Sequence, residues 1–498
     1  MEALYNTVLL EATMPDFPSD YVAPAAREET VASLRVTGTI PEHLDGRYVR
    51  TGPNPLPGQF DPANYSIFGL TGDGMVHGVR LRDGNAEWYR SRWVRAPHVS
   101  RLLSEKPVTD SGRPTFIAPN TGVFGHAGRT LVVAEGGGPP YELTDELETV
   151  GPCDFGGTLP GGFTGHPKVD PATGELHAVT YGFTGPSKAR YVVVSANGRV
   201  RKAEEIDVPG RPLLHDIALT ENYVVLFDTP LVLDPELLMR RMAPRWLPGA
   251  ALAFAARFEP PSAIARPLVH RLPRPKTGQL PLRWDARHPA RIGLVPRNGP
   301  AAVRWFDIDP CYVFHTLNAY EEDGAVVCDA VRIEGPPPGK PEYDVREVLD
   351  VGQPRLNRWT VDLTTGAVKE SLLNERTQEF PMVDPRRIGR KHTYGYTVAF
   401  EQNGPDDLAG SVLRYDLGAD KTSELPLPPG HLPGEFSAIP ASPDAPEQDG
   451  LLMGFTYDRA NGVSNLLIVE ASTLTRLAEV HLPARVPFLF HGNWLPAN

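Results

Sequence analysis

Four histidines stand in matching surroundings: "GFTGHPKVD" (His166), "RPLLHDIAL" (His215), "CYVFHTLNAY" (His315) and "FLFHGNWLP" (His491). Each lies beside an apolar or aromatic residue and is followed at once by a turn-forming or polar one. A lone histidine in such a place is more often a satisfied core residue, but four together make a different case. Intervals of 49, 100 and 176 residues mean that no single helix or hairpin presents them. Neutral imidazole suits iron, copper, zinc and nickel, and four of them without a carboxylate would leave an octahedral metal with open positions. Spacing does not choose among these metals, and His77, His177 and His481, which lie in strand-like runs, stay candidates beside the four. The remaining seven, His43, His98, His126, His270, His288, His392 and His431, sit among Gly, Pro, charged or polar neighbours and read as loop residues.

Metal-bound histidines usually donate their second ring N–H to a carboxylate or carbonyl, which fixes tautomer and ring direction. Three glutamates are placed to do this: Glu135 in "LVVAEGGGPPYEL", Glu379 in "TQEFPMVDPRRIG" and Glu435 in "LPGEFSAIP". Each adjoins apolar, Gly or Pro residues, where an unpaired buried carboxylate would be costly. Taken singly, each reads equally well as an ordinary loop acid.

The elements that must bring such residues together are short strands. Runs such as "TLVVAEG" (130–136), "YVVVSAN" (191–197), "NYVVLFD" (222–228), "AVVCDAVRI" (325–333), "LLMGFTYD" (451–458) and "NLLIVEA" (465–471) are β-branched or aromatic and bounded by turn residues. That pattern predicts an all-β sandwich, barrel or propeller. Forty-seven glycines and 53 prolines are spread along the chain and imply many turns with no single long linker. Only a fold that returns each strand to a common axis gathers four histidines so far apart, and a propeller does so because its blades surround one channel. "VDPATGELHAVTY" (169–181) and "VDLTTGAVKESLL" (361–373) share V-D-x-x-T-G ahead of a strand-like run, which supports recurring hairpins more than it supports a blade count.

A chain of 498 residues could hold three ordinary domains, yet all-β folds often exceed that size as one unit. A net charge of −12 argues against a nucleic-acid partner. Cys153, Cys311 and Cys328 are an odd number without C-x-x-C spacing, so neither a disulfide framework nor a zinc ribbon is suggested. A reducing compartment fits, and the N-terminal "MEALYNTVLLEATMPDF" has acids and no basic region before a long apolar stretch. The expectation is a cytoplasmic protein without a signal peptide or spanning helix. One segment departs from the strand pattern: Pro230 to Pro261, "PLVLDPELLMRRMAPRWLPGAALAFAARFEPP", predicts two short helices interrupted by prolines. Its apolar residues with interspersed Arg suit a membrane surface or a pocket mouth, or an insertion packed on the β core.

Several blocks together resemble one family. "GRYVRTGPNP" (46–55), "FGLTGDGMVHGVRL" (68–81), "GHPKVDPATGEL" (165–176), "LLHDIALTENYVVLFDTPL" (213–231), "FHTLNAYEEDG" (314–324), "EFPMVDPRRIGR" (379–390) and "HGNWLP" (491–496) are similar, in order, to the carotenoid cleavage oxygenases, and most of all to bacterial, actinobacterial-type members acting on carotenoids and apocarotenoids. The resemblance implies a single domain over residues 1–498: a seven-bladed β-propeller with Fe(II) on its axis and a helical cap over the entrance, to which residues 230–261 contribute. It implies that His166, His215, His315 and His491 hold the iron. It places Glu135, Glu379 and Glu435 behind His215, His315 and His491, leaving His166 without a carboxylate. Thr121, in "APNTGVFG", matches a position beside an open coordination site. No acid or base beyond the metal centre is required.

The implied reaction splits a carbon–carbon double bond of a small apolar alkene with O2 into two carbonyl products. The protein is expected to act as a monomer with peripheral membrane contact. Stilbene-cleaving members of the family carry a lysine just before the first glutamate, where this chain has Ala134. That weakens the reading as a stilbene or isoeugenol-like oxygenase, and another branch of the family isomerises esters. From other classes, a non-enzymatic propeller binding an apolar ligand and a zinc hydrolase remain as alternatives, although catalytic zinc more often has three protein ligands and a water.

Overall fold

Strand sequences in this protein follow their position. Outer strands such as Val200–Ile206 and Lys421–Pro426 alternate between more and less buried residues, whereas central strands such as Ala189–Val194 and Gly450–Asp458 are almost continuously buried. A strand packed on both faces has no solvent side to make polar, so the two-residue period fades where sheets stack. All six runs predicted as strands from their β-branched and aromatic content are strands here.

The computed structural model describes residues 23–59, 72–108, 118–182, 188–234, 236, 282–337, 339–344, 352–404, 407–487 and 490–497. Among these, the protein is all-β, with one six-residue helix at Pro97–Leu102 and a 3-10 turn at Pro385–Arg387. Among the described residues seven antiparallel sheets have four or five strands each, and an eighth has three. Each large sheet lays one strand innermost: Gly492–Pro496, Gly122–His126, Lys168–Val169, Ile217–Leu219, Cys311–Glu322, Gln378–Met382 and His431–Pro440.

The innermost strands touch their neighbours from Lys168–Val169 through Ile217–Leu219, Cys311–Glu322, Gln378–Met382, His431–Pro440 and Gly492–Pro496 to Gly122–His126. The last gap is filled by apolar packing between the sheets of Gly122–His126 and Lys168–Val169, including Phe124, Leu131, Val133, Leu176, Ala178 and Val192. The core is thus a ring of apolar clusters, six of them seated between two adjoining sheets and the largest also taking in Leu231, Leu233, Leu282 and Trp284 of the three-stranded sheet and Tyr312 and Ile333 of the sheet of His315. That is the propeller architecture expected from the sequence.

Tight hairpins set the register within sheets. Asp83-Gly84 and Asp323-Gly324 both have positive φ and join strands paired as Arg82↔Asn85 and Glu322↔Ala325. Two residues with positive φ make a turn whose twist matches that of the strands. The two V-D-x-x-T-G segments also form one kind of turn, in which Gly174 and Gly366 donate to the carbonyls of Asp170 and Asp362. One joins the first two strands of its sheet and the other the last two, so the echo marks a shared turn and not equivalent places in two sheets.

The closing sheet takes strands from both ends of the chain: Gly492–Pro496 pairs antiparallel with Gly46–Pro53, from Gly46↔Pro496 to Arg50↔Gly492. The segment predicted as two short helices from Pro230 to Pro261 begins differently. Leu231–Leu233 is a strand pairing with Leu282–Asp285, because a Leu-Val-Leu run held between prolines satisfies its backbone in a sheet. Almost all of the rest of that segment, including the expected helical cap, lies outside the described residues. Among the described residues no helix is long and apolar enough to cross a membrane.

Candidate metal centre

The four histidines lie on or just ahead of four of the innermost strands. His166 follows Gly165 in the bend before Lys168–Val169, His215 lies two residues ahead of Ile217–Leu219, and His491 directly precedes Gly492–Pro496. His315 lies inside Cys311–Glu322, where pairing with Ala325–Glu334 slips between Val313 and Thr316. Such a bulge re-aims a side chain that a regular strand would turn elsewhere. Two further slips flank this centre: between Glu379 and Met382, and between Pro433 and Phe436, the latter enclosing Glu435. Phe380 and Phe490 hold φ of 53° and 77°, a left-handed backbone uncommon outside glycine.

One ligand nitrogen from each of His166, His215, His315 and His491 lies within 4.8 Å of all the others. His215 Nε2 and His315 Nε2 are 3.2 Å apart. The His166 ring is 4.4 Å from those of His215 and His491 and 5.2 Å from that of His315, centroid to centroid. His77 lies on the third strand of its sheet and His177 on the second strand of its own, where Nδ1 of each meets a tyrosine hydroxyl, Tyr89 at 2.9 Å and Tyr191 at 2.7 Å. His481 sits on an outer strand against Thr37. These three satisfy their rings locally and take no part in the cluster.

Three carboxylates back the cluster. Glu379 Oε2 is 2.7 Å from His315 Nδ1, Glu135 Oε1 is 2.5 Å from His215 Nδ1, and Glu435 Oε1 is 3.1 Å from His491 Nδ1. Glu435 also accepts from the Gly492 amide at 2.7 Å, and Glu135 from the Tyr181 hydroxyl at 3.0 Å. An Nδ1 facing a carboxylate carries the proton and leaves Nε2 as a lone-pair donor. His166 has no carboxylate, and its buried Nε2 makes no hydrogen bond; His215 Nδ1 stands against Glu135 as a close contact without hydrogen-bond geometry.

Burial disfavours the charged form of these rings, with opposite results at two of them. Burial and the neighbouring imidazoles push His166 well below the ordinary histidine value. At His315 burial also pulls downward, but the charge and hydrogen bond of Glu379 prevail and raise it. His491 stays lowered by burial despite Glu435, whose own carboxyl is held below its usual range by His491 against the upward pull of burial. Burial and the Glu135 charge drive the Tyr181 phenol well above its usual value, so it remains a donor.

Aromatic rings wall three of the histidines. Phe314 packs edge-on against His215 at 5.1 Å, Phe380 stacks on His315 at 5.6 Å, and Phe490 stacks on His491 at 6.2 Å. Space is tight at Gly165, the residue before His166. A Cβ on Gly165 would fall 2.6 Å from the Thr121 methyl and 3.0 Å from Glu135 Cγ. Thr121 is buried and fixed: its hydroxyl donates to Asn120 Oδ1 at 3.1 Å and accepts from the Glu135 amide at 3.2 Å.

Four convergent imidazoles, three of them carboxylate-backed and one with an unpaired buried nitrogen, form a donor set that fits a divalent transition metal. Sequence reasoning singled out these seven residues and Thr121. It passed over Phe314, Phe380 and Phe490, each adjoining a singled-out residue, and Tyr181 and Asp216. The acid directly after His215 in "LLHDIAL" was a readable signal, whereas nothing in the sequence marks a phenylalanine with positive φ.

The profile of the retinal pigment epithelial membrane protein family matches residues 22–496. A carotenoid cleavage oxygenase of Mycobacterium tuberculosis is 44% identical over 495 residues, covering 96% of this chain and 97% of the relative. A carotenoid 9,10(9',10')-cleavage dioxygenase 1 of Phaseolus vulgaris is 28% identical, covering 99% and 92%. The crystal structure of a lignostilbene dioxygenase from Pseudomonas brassicacearum superposes with a TM-score of 0.77 at 26% identity, covering 98% and 99% of the two chains.

Proposed function

The chain belongs to the carotenoid cleavage oxygenase family, and on that premise we propose that it is a non-haem Fe(II) dioxygenase cleaving a carbon–carbon double bond of a carotenoid or apocarotenoid. The observation carrying this reading is the convergence of four imidazole nitrogens within 4.8 Å, three of the rings backed by glutamates. Bound there, Fe(II) supplies the redox chemistry that lets ground-state O2 react with an alkene. One C=C breaks and each of its carbons takes one oxygen atom, so alkene and O2 balance to two carbonyls with no proton or external reductant. That accounting explains why the site needs no acid or base.

The chain's own residues then have three tasks. Glu135, Glu379 and Glu435 hold protons on Nδ1 of His215, His315 and His491 and keep Nε2 free. Phe314, Phe380 and Phe490 exclude water from that side of the cluster. Thr121 and Gly165 keep the His166 side narrow and fixed, which suits a place beside an open coordination position. We take each of the seven large sheets as one propeller blade, residues 1–498 as one domain, monomeric, and the insertion around residues 230–261, most of it outside the described residues, as the apolar entrance and peripheral membrane contact.

A second reading, cleavage of a stilbene or isoeugenol-like alkene, draws support from the similarity to the lignostilbene dioxygenase. Ala134 is buried and offers no cation for a phenolate. The test is metal analysis of purified protein, followed by incubation of the Fe(II)-loaded enzyme with carotenoids, apocarotenoids, stilbenes and isoeugenol and identification of the aldehydes. Iron with apocarotenoid aldehydes is expected. Stoichiometric zinc, or no aldehyde from any substrate, would sink the oxygenase reading, and products from the phenolic alkenes alone would establish the second.

A further inference from the structure

A fourth carboxylate lies beside the cluster without touching a histidine ring. Asp216 is 5% exposed, and each of its oxygens is shared. Oδ1 accepts from the Ile217 amide at 2.8 Å and meets Lys168 Nζ at 2.9 Å. Oδ2 accepts from the Thr316 amide at 2.9 Å, the Thr316 hydroxyl at 2.8 Å and Lys168 Nζ at 3.1 Å. These partners occupy telling places in the chain. Lys168 is two residues past His166, Asp216 is one past His215, and Thr316 is one past His315.

The three glutamates therefore each steady one ring, whereas Asp216 joins the segments bearing three rings at a single point, those of His215 and His315 through backbone amides and that of His166 through the Lys168 side chain. The Thr316 amide it takes is the first after the bulge holding His315. A bulge leaves the ladder locally unfilled, and the carboxylate fills it from the neighbouring sheet. His491 is tied separately, through Glu435 and the pairing of Gly492–Pro496 with Gly46–Pro53. A binding constellation tolerates errors of only about 0.5 Å, so a tie one or two residues from three ligands sets their spacing directly.

We propose that Asp216 is a positioning residue of the metal centre, fixing His166, His215 and His315 relative to one another through one carboxylate so that metal affinity and coordination geometry depend on it. The proposal rests on reading the four histidines as a metal site. The test titrates metal-free full-length protein with Co(II), whose visible absorption reports coordination geometry, and measures affinity by chelator competition.

The variants are Asp216→Asn, the single-arm variants Lys168→Met and Thr316→Val, and a control, Asp329→Asn. Asp329 is fully buried on Arg358 in the sheet of His315 and holds no ligand segment. Asp216→Asn is expected to bind Co(II) 10- to 100-fold more weakly with a displaced band, the single-arm variants less so, and Asp329→Asn to lose thermal stability with affinity and band unchanged. Affinity within twofold of wild type and an unmoved band in Asp216→Asn would overturn the proposal. Should that variant fail to fold, the same result in both single-arm variants would overturn it. Wild-type protein that binds no Co(II) would remove the metal reading itself, and this proposal with it.

Discussion

Glu379 Oε2 stands 2.7 Å from His315 Nδ1, and both residues lie at slips in strand pairing. Two adjoining sheets each depart from regular geometry where the pair must meet. His315→Ala should lose metal and activity together. Glu379→Gln keeps an acceptor but removes the charge, so metal should persist with 10- to 100-fold lower affinity. Metal content after dialysis and turnover of an apocarotenoid check both; normal activity in His315→Ala would refute its place in the site.

Gly165→Ala should cost metal affinity and turnover, because the new methyl would overlap the Thr121 methyl and crowd Glu135. Adding Thr121→Ser removes the nearer obstacle while keeping the hydroxyl that Asn120 and the Glu135 amide use. Partial recovery in the double variant is the expected coupling. Equal losses in the single and double variants would show that the Thr121 contact is not the cause.

Stability should fall with acid through two buried histidines remote from the cluster. Burial, helped by nearby arginines, takes His77 down to about 3 and His177 to about 4. Both stay neutral in the folded protein, whereas the unfolded chain takes up protons below about 6.5. The unfolded state thus binds more protons as pH drops. Stability is complete above 6.5 and is lost below it, by about 1.4 kcal/mol per pH unit for each histidine, down to about 4 for His177 and 3 for His77. Urea titrations at pH 7 and 5.5 should show a shallower loss in His77→Gln and His177→Gln, and an unaltered slope in the double variant would contradict this account.

Removing residues 491–498 should abolish metal binding and lower the unfolding temperature, since His491 and the strand paired with Gly46–Pro53 go together. His491→Ala alone should lose metal yet keep most of the stability. Calorimetry of the two proteins separates the effects, and matching unfolding temperatures would mean the closing strand contributes little.

How much of this was legible in the sequence depends on the scale of the feature. Runs such as "YVVVSAN" announce strands because β-branched residues suit a pleated surface, and four like-placed histidines point to a fold with an axis. His77 and His177 could not be set apart from them, because a strand-borne histidine becomes a structural residue only through its Tyr89 or Tyr191 partner on the next strand. Leu231–Leu233 was misread since a three-residue apolar run has no period of its own. The turned backbones of Phe380 and Phe490 had no signal, as local sequence marks positive φ mainly through glycine and asparagine.

The sheet that takes a strand from each end of the chain also sets a timetable. Gly46–Pro53 emerges from the ribosome long before Gly492–Pro496, a wait of roughly 20 to 90 s at about 5–20 residues per second. Through that interval the first sheet has an open edge, and the histidine cluster has at most three of its four members. Assembly of the complete histidine cluster is therefore a late event that waits for His491, and the nascent protein depends on its unpaired edge being sheltered until Gly492–Pro496 arrives.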